Sequence, residues 1–197
     1  MCRRAWTPAP LGRVTPTRAS ATVNTKKYAK APAVTIDKTK TYEAHFTTTA
    51  GNFVVKLDAA TAPITTNNFV FLARQGFYKC VIFQRVIPGF MIQGGDPTGT
   101  GRGGPGYTIP DEFPKPGHPT FPLYSIAMAN TGAANSGGSQ FFIVTGSVAN
   151  TIGYKYSLFG QVISGFNVVK IIQDAGSASG IPPLVTHRIL NITISES

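Results

Sequence analysis

Charge is scarce in this chain of 197 residues: 13% are Asp, Glu, Lys or Arg, and only eight residues are acidic. Together with 21 glycines and 15 prolines, that disfavours a helical bundle and favours a turn-rich, β-heavy fold. Long apolar runs are missing too. No stretch approaches the roughly 18 residues that a membrane-spanning helix needs. Cysteine occurs twice, at Cys2 and Cys80. That spacing makes neither a disulfide framework nor a zinc site, so both are expected to be free thiols, which fits a reducing compartment. The three histidines, His45, His118 and His187, have no metal-ligand spacing. They are read as surface or core residues, and no metal and no cofactor is expected. The single tryptophan is Trp6.

What charge there is, is unevenly placed. Residues 1–40 hold nine Lys/Arg and one acid, Asp37, whereas residues 41–197 hold nine Lys/Arg and seven acids. The surplus of basic residues therefore belongs to the first segment. That segment has no apolar periodicity and contains Pro8, Pro10, Pro16 and Pro32. Residues 1–40 are expected to be a disordered basic tail, most simply a solvated linker. The tail lacks the apolar run of a secretory signal. The cytoplasm is the expected compartment. Import into an organelle through the basic tail, or export from a different start, are the alternatives.

From residue 41 to 197 the pattern is that of one folded domain. Tyr42–Thr48 and Asn52–Leu57 read as strands joined by a turn at Ala50-Gly51. Residues 58–76 read as a helix, with Thr61 as N-cap, Pro63 in its first turn and Gly76 as its stop. Val81–Val86 and Phe90–Gln93 are short strands, followed by a Gly/Pro-rich loop over 94–122. Leu123–Ala129, Gln140–Val144 and Tyr156–Val162 are further strands. Phe166–Asp174 is a second helix with Val168, Val169, Ile171 and Ile172 as its apolar side, and Val185–Ser195 is a last strand. Eight or so strands with two helices, in no regular βαβ order, point to a mainly β fold. A closed eight-stranded antiparallel barrel capped by the helices is expected.

Three stretches carry candidate chemistry. Arg85 is the one charge inside VIFQRVIPGFMIQGG. A buried charge is costly unless it is paired or faces a cleft, and no acid follows before Asp96. An edge position with an ion pair and a cleft-facing arginine both remain open on that ground. Second, Gly101, Gly103 and Gly106 formally satisfy G-x-G-x-x-G. The run leads into YTIPDEFPKPG, which cannot start a helix, so dinucleotide binding is rejected. Third, AMANTGAANSGGSQFFIV joins a small-residue loop to a strand. It holds no G-x-S-x-G, so a serine hydrolase is rejected as well.

FQRVIPGFMIQGGD (83–96) resembles the central signature of the cyclophilins, and SQFFIV (139–144) resembles their second one. GDPTGTGRGGPGY and LFGQV (158–162) match too, in the right order. The resemblance covers about residues 42–195 and implies a cyclophilin-like barrel with peptidyl-prolyl cis-trans isomerase activity. It gives Arg85 the catalytic role, with Gln93 orienting its guanidinium. Phe90, Met91, Phe142 and Ile152 would form the proline pocket. Ala129 and Asn130 would hydrogen-bond the substrate backbone, and Gln140 would add a polar contact. Tyr156 stands where many members have histidine. The implied partners are proline-containing peptides and unfolded proteins, met by a monomer, with no specific nucleic acid and no transmembrane segment. A proline-peptide binding module or holdase with weak catalysis is the alternative function. The chain departs from the family in three places. Gln84 stands in place of a histidine, the 129–139 loop is about one residue longer, and Thr151 falls near a tryptophan that binds cyclosporin. Weak cyclosporin binding is expected from the last.

Overall fold

The computed structural model describes residues 26–115, 121–147 and 152–197. Among the described residues, eight strands and two helices follow in the order β1 (Tyr42–Thr48), β2 (Gly51–Leu57), α1 (Pro63–Arg74), β3 (Arg85–Ile87), β4 (Met91–Gly94), β5 (Ser125–Met128), β6 (Phe141–Val144), β7 (Leu158–Ser164), α2 (Phe166–Asp174) and β8 (Ile189–Glu196). All strand pairs are antiparallel, in the sheet order β3-β4-β6-β5-β7-β2-β1-β8.

The sheet is curled and open rather than a closed barrel. Where closure was expected, the segment before β3 meets the start of β8 only over a short stretch, through the Ile82–Arg188 bridge and the flanking bonds Cys80 N–H to Ile189 O, Ile189 N–H to Val81 O and Phe83 N–H to His187 O. The reason lies at Val86 in β3. Its N–H donates to Gly180 O at 3.0 Å, and its carbonyl accepts from Ser177 N–H at 3.2 Å. The loop before β8 thus occupies the outer edge of β3, and a full ladder with β8 cannot form there.

Alternation along the strands sorts side chains onto two faces. Ile92, Ile126, Phe141, Ile143 and Phe159 join the main core with Phe46, Phe53 and Val55. Both helices bury their apolar sides in this same core. Phe69 of α1 lies within 5.1–6.1 Å, centroid to centroid, of the rings of Phe46, Tyr78, Phe141 and Phe159. Burying a phenylalanine of this kind stabilises the fold by about 1.5–3 kcal/mol. In α2, Val168, Val169 and Ile172 are buried, whereas Ile171 is exposed, contrary to expectation. At about 100° per residue the four span an arc of roughly 160°, and Ile171 stands at one margin of it, where the helix turns toward solvent.

The start of α1 also differs. Thr61 is not its N-cap; Ala62 is, and it makes no side-chain cap. Thr61 instead donates to Asp58 through its backbone and its hydroxyl. The free N–H groups of Ile64 and Thr65 donate to the Glu112 carboxylate at 3.0 and 2.8 Å. A carboxylate at a helix N-terminus meets both the unpaired donors and the helix dipole. The buried amides of α1 serve other loops. Asn67 holds residues 33–36, and Asn68 binds Tyr107 and Gly138.

Residues 26–40 contain no helix or strand, yet they lie against the domain. The Tyr28 ring packs 5.2 Å from Phe71 and 6.4 Å from both Phe77 and Tyr107, and its N–H donates to Pro105 O at 2.8 Å. Ile36 is buried in the core. Residues 1–25 of the expected tail fall outside the described residues. Cys80 is disulfide-bonded, which corrects the expectation of a free thiol at this residue; Cys2 lies outside the described residues. The argument from cysteine for a reducing compartment lapses. Among the described residues no helix is long and apolar enough to cross a membrane.

Candidate active site

The face of the sheet turned away from the core carries a second, smaller apolar cluster. Met91, Ala127, Phe142 and Val144 are its strand residues, with Phe121 beside them. The alternation that sends Ile92 and Ile143 inward sends Met91, Gln93, Phe142 and Val144 outward. Strand register then aligns them. Arg85 pairs with Gln93, Gln93 with Phe142, and Phe142 with Ala127. One row crossing β3, β4, β6 and β5 therefore sets a guanidinium, an amide, an aromatic ring and a methyl group side by side.

Arg85, Gln93 and Phe142 of this row line a cavity of about 370 Å3. Phe90, Met91, Phe142, Ile152 and Tyr156 supply its apolar surface, and Arg85, Gln93, Ala129 and Asn130 complete the predicted set around it. Phe142 is clasped edge-on by Tyr156, with centroids 5.2 Å apart and planes at 87°. Gln140, expected to add a polar contact, does not line this cavity. It lines an adjoining cavity of about 380 Å3, walled by Gly101–Pro105 and by Ser136, Gly138 and Ser139 among others. Gln93, Gly101, Arg102, Ala129 and Asn130 border both cavities.

Gln140 has more to do than add a polar contact. Its Nε2 donates to Gly101 O at 3.0 Å and Gly103 O at 2.9 Å. Its Oε1 accepts from Gln93 Nε2 at 3.0 Å and Gln84 Nε2 at 2.9 Å. Two carbonyls on one end and two amide donors on the other admit a single orientation of this amide. Gln93 must then turn its own Oε1 toward Arg85, whose Nη1 lies 3.5 Å away. Orientation passes from loop carbonyls to Gln140, to Gln93, to Arg85. Gln84, in place of the family's histidine, is buried and joins this network as a donor.

The loop carbonyls are themselves held. Asp96 is buried. Burial alone would raise its carboxyl, but hydrogen bonds from Thr98, Gly103 and Gly101 outweigh it and hold the group below the usual carboxylate range. Gly103 passes so close that a Cβ there would stand 2.0 Å from Asp96 Oδ1. Asn130 spends its side chain on Lys155 O at 2.8 Å and Gly132 N–H at 3.0 Å, so its main chain is what it can offer a peptide.

Sequence reasoning missed Phe121, Thr100, Arg102 and Ile181. Phe121 packs 6.3 Å from both Phe142 and Tyr156; it follows a loop with no periodicity, so no signal marked it. Thr100, Arg102 and Ile181 line the first cavity from loops whose path no local pattern reveals. Thr151 lies outside the described residues. Of the histidines, His45 contacts Glu43 and Ser195, and His187 contacts Thr49. Neither borders either cavity, and among the described residues no cluster of three or more His, Cys, Asp or Glu could hold a metal.

Comparison with known proteins agrees with this geometry. The family model "Cyclophilin type peptidyl-prolyl cis-trans isomerase/CLD" matches residues 44–194. The chain belongs to this family of isomerases. It is 40% identical over 152 residues to peptidyl-prolyl cis-trans isomerase-like 1 of Gibberella zeae, covering 76% of this chain and 92% of that protein. It is likewise 40% identical over 184 residues to peptidyl-prolyl cis-trans isomerase A of Mycobacterium tuberculosis, covering 83% of this chain and 97% of that one. A crystal structure of a Cryptosporidium parvum cyclophilin type peptidyl-prolyl cis-trans isomerase superposes with TM-score 0.73 at 33% identity, over 79% of this chain and 98% of that one. The same protein in the presence of the dipeptide Ala-Pro gives TM-score 0.71 at 33% identity, over 78% and 98% of the two chains.

Proposed function

We propose that this chain accelerates cis-trans rotation about X–Pro bonds in peptides and in folding proteins, with Arg85 as the catalytic residue. Rotation is slow because amide resonance must be broken, at a cost of about 18–20 kcal/mol. It makes and breaks no covalent bond, so it needs neither nucleophile nor proton donor. In the twisted state the proline nitrogen gains a lone pair and can accept a hydrogen bond. A fixed guanidinium that donates to that nitrogen or to the displaced carbonyl binds the transition state better than either ground state.

The observation that carries this reading is the row Arg85–Gln93–Phe142 with its amide chain to Gln140. The apolar cavity beside it is of a size to hold a proline ring, and Phe90, Met91, Phe142 and Ile152 give the ring its contacts. Ala129 and Asn130 border the same cavity and would hydrogen-bond the peptide backbone, and Gln93 would keep the guanidinium aimed. The test is the cis-to-trans rate of a short X–Pro peptide with and without the protein. Acceleration that disappears in Arg85→Ala supports the isomerase. Binding of the peptide without acceleration would instead favour the holdase.

A further inference from the structure

One wall of the first cavity comes from none of the signature motifs. Ile181 lines it together with Arg85 and remains 55% exposed. A lone exposed isoleucine is ordinary on a protein surface. This one is distinguished by how it is held. Ser177 N–H donates to Val86 O and Val86 N–H to Gly180 O, so the loop is bonded to the residue that follows Arg85. Within the loop, Gly180 N–H donates to Ser177 O at 2.9 Å and Ser177 Oγ to Pro182 O at 2.8 Å. Gly180 has φ +77°, and a Cβ there would stand 2.6 Å from Ile87 Cγ1 and 3.3 Å from Arg85 Cγ. Backbone bonding thus holds the loop against the stem of the arginine, and Ile181 is the next side chain along.

We propose that Ile181 is a specificity-determining residue that receives an apolar side chain of the substrate on one flank of the proline. The inference rests on the isomerase reading above. The second cavity shares Gln93, Gly101, Arg102, Ala129 and Asn130 with the first but includes neither Arg85 nor Ile181. A peptide with its proline in the first cavity therefore has one flank over the glycine-rich wall of the second. Its other flank leaves past Arg85 and over Ile181. An apolar side chain there is partly removed from water, whereas a polar one gains nothing from the contact.

Peptides carrying Leu, Gln or Lys, first directly before and then directly after the proline, test this with the full chain and with Ile181→Val, Ile181→Ser and Ile181→Asp. At one of the two positions the parent protein should favour Leu over Gln by about five- to ten-fold in kcat/KM, carried by KM. Ile181→Val should keep that ratio, Ile181→Ser should bring it near one, and Ile181→Asp should turn the preference toward Lys. A Leu preference that persists in Ile181→Ser, or no gain for Lys in Ile181→Asp, overturns the role of Ile181. If the parent protein accelerates no X–Pro peptide, the isomerase reading itself fails, which is a different result in the same assay.

Discussion

Arg85 faces the cavity with an amide rather than a carboxylate as its partner. An acid at that place would neutralise the guanidinium that the twisted bond needs, whereas a glutamine oxygen orients it and leaves its charge available. Arg85→Ala is expected to lower turnover by roughly ten-fold to a thousand-fold, about 1.4–4 kcal/mol of transition-state stabilisation. Peptide binding should change less, because the apolar pocket remains. The orienting chain makes its own prediction. In Gln140→Glu a carboxylate would face the carbonyls of Gly101 and Gly103, which the wild-type amide satisfies as a donor. A fall in kcat of about ten-fold is expected from that repulsion; an unchanged kcat would remove Gln140 from the positioning of Arg85. No described histidine borders either cavity and arginine stays charged, so kcat/KM should be nearly flat from about pH 6 to pH 8. A steep titration in that range would reveal a missed acid or base.

At the scale of the element, the N-terminus of α1 and the loop over 96–104 each depend on a single carboxylate. Glu112 receives the Ile64 and Thr65 N–H groups from 48 and 47 residues away in sequence. Glu112→Ala leaves those donors without a partner and is expected to cost about 1–2 kcal/mol in urea unfolding. The same midpoint in mutant and parent would show that water replaces the cap without loss. Asp96 has its folded-state pKa lowered by the hydrogen bonds from Thr98, Gly103 and Gly101 against the opposing effect of burial. Its contribution is therefore fully present above the unfolded value, near 3.9, and is lost as pH falls through the lower folded value. The parent protein should lose stability more steeply below about pH 4 than Asp96→Asn, which has no such titration. Parallel urea midpoints of the two proteins across that range would contradict the assignment.

At the scale of the whole molecule, residues 26–36 strap the domain and belong to it physically. Tyr28 sits among three rings, and its N–H bonds to Pro105 of the loop that walls the second cavity. Ile36 enters the core beside Asn67, which binds the strap at Ala33, Thr35 and Ile36. The two truncations that bracket the strap should then differ. With both proteins reduced, so that the disulfide of Cys80 plays no part, removal of residues 1–25 should leave peptide turnover unchanged. Removal of residues 1–38 should lower stability by about 2–4 kcal/mol, from the lost burial of Tyr28 and Ile36. Equal unfolding midpoints for the two truncated forms would make the strap an idle contact.

The sequence by itself determined the two helices, the strands of the β1–β2 hairpin to within a residue, and, through the family motifs, many of the side chains around the first cavity, though not Thr100, Arg102 or Ile181. Each of these is written in local terms. Period-two alternation places Met91, Gln93 and Phe142 on one face and Ile92 and Ile143 on the other, and the signature motifs mark Arg85, Phe90 and Gln140. Only the tertiary structure decided what joins segments distant in the chain. The Glu112 cap on α1, the strap and the loop that occupies the edge of β3 all pair residues far apart in sequence. Local propensity carries no information about such partners. The position of Gln140 as the hub of the amide chain belongs to the same class, because a glutamine's orientation is set by four neighbours from three separate stretches of chain. Local patterning thus chose the groups of the site, and long-range hydrogen bonding chose the direction in which Arg85 points.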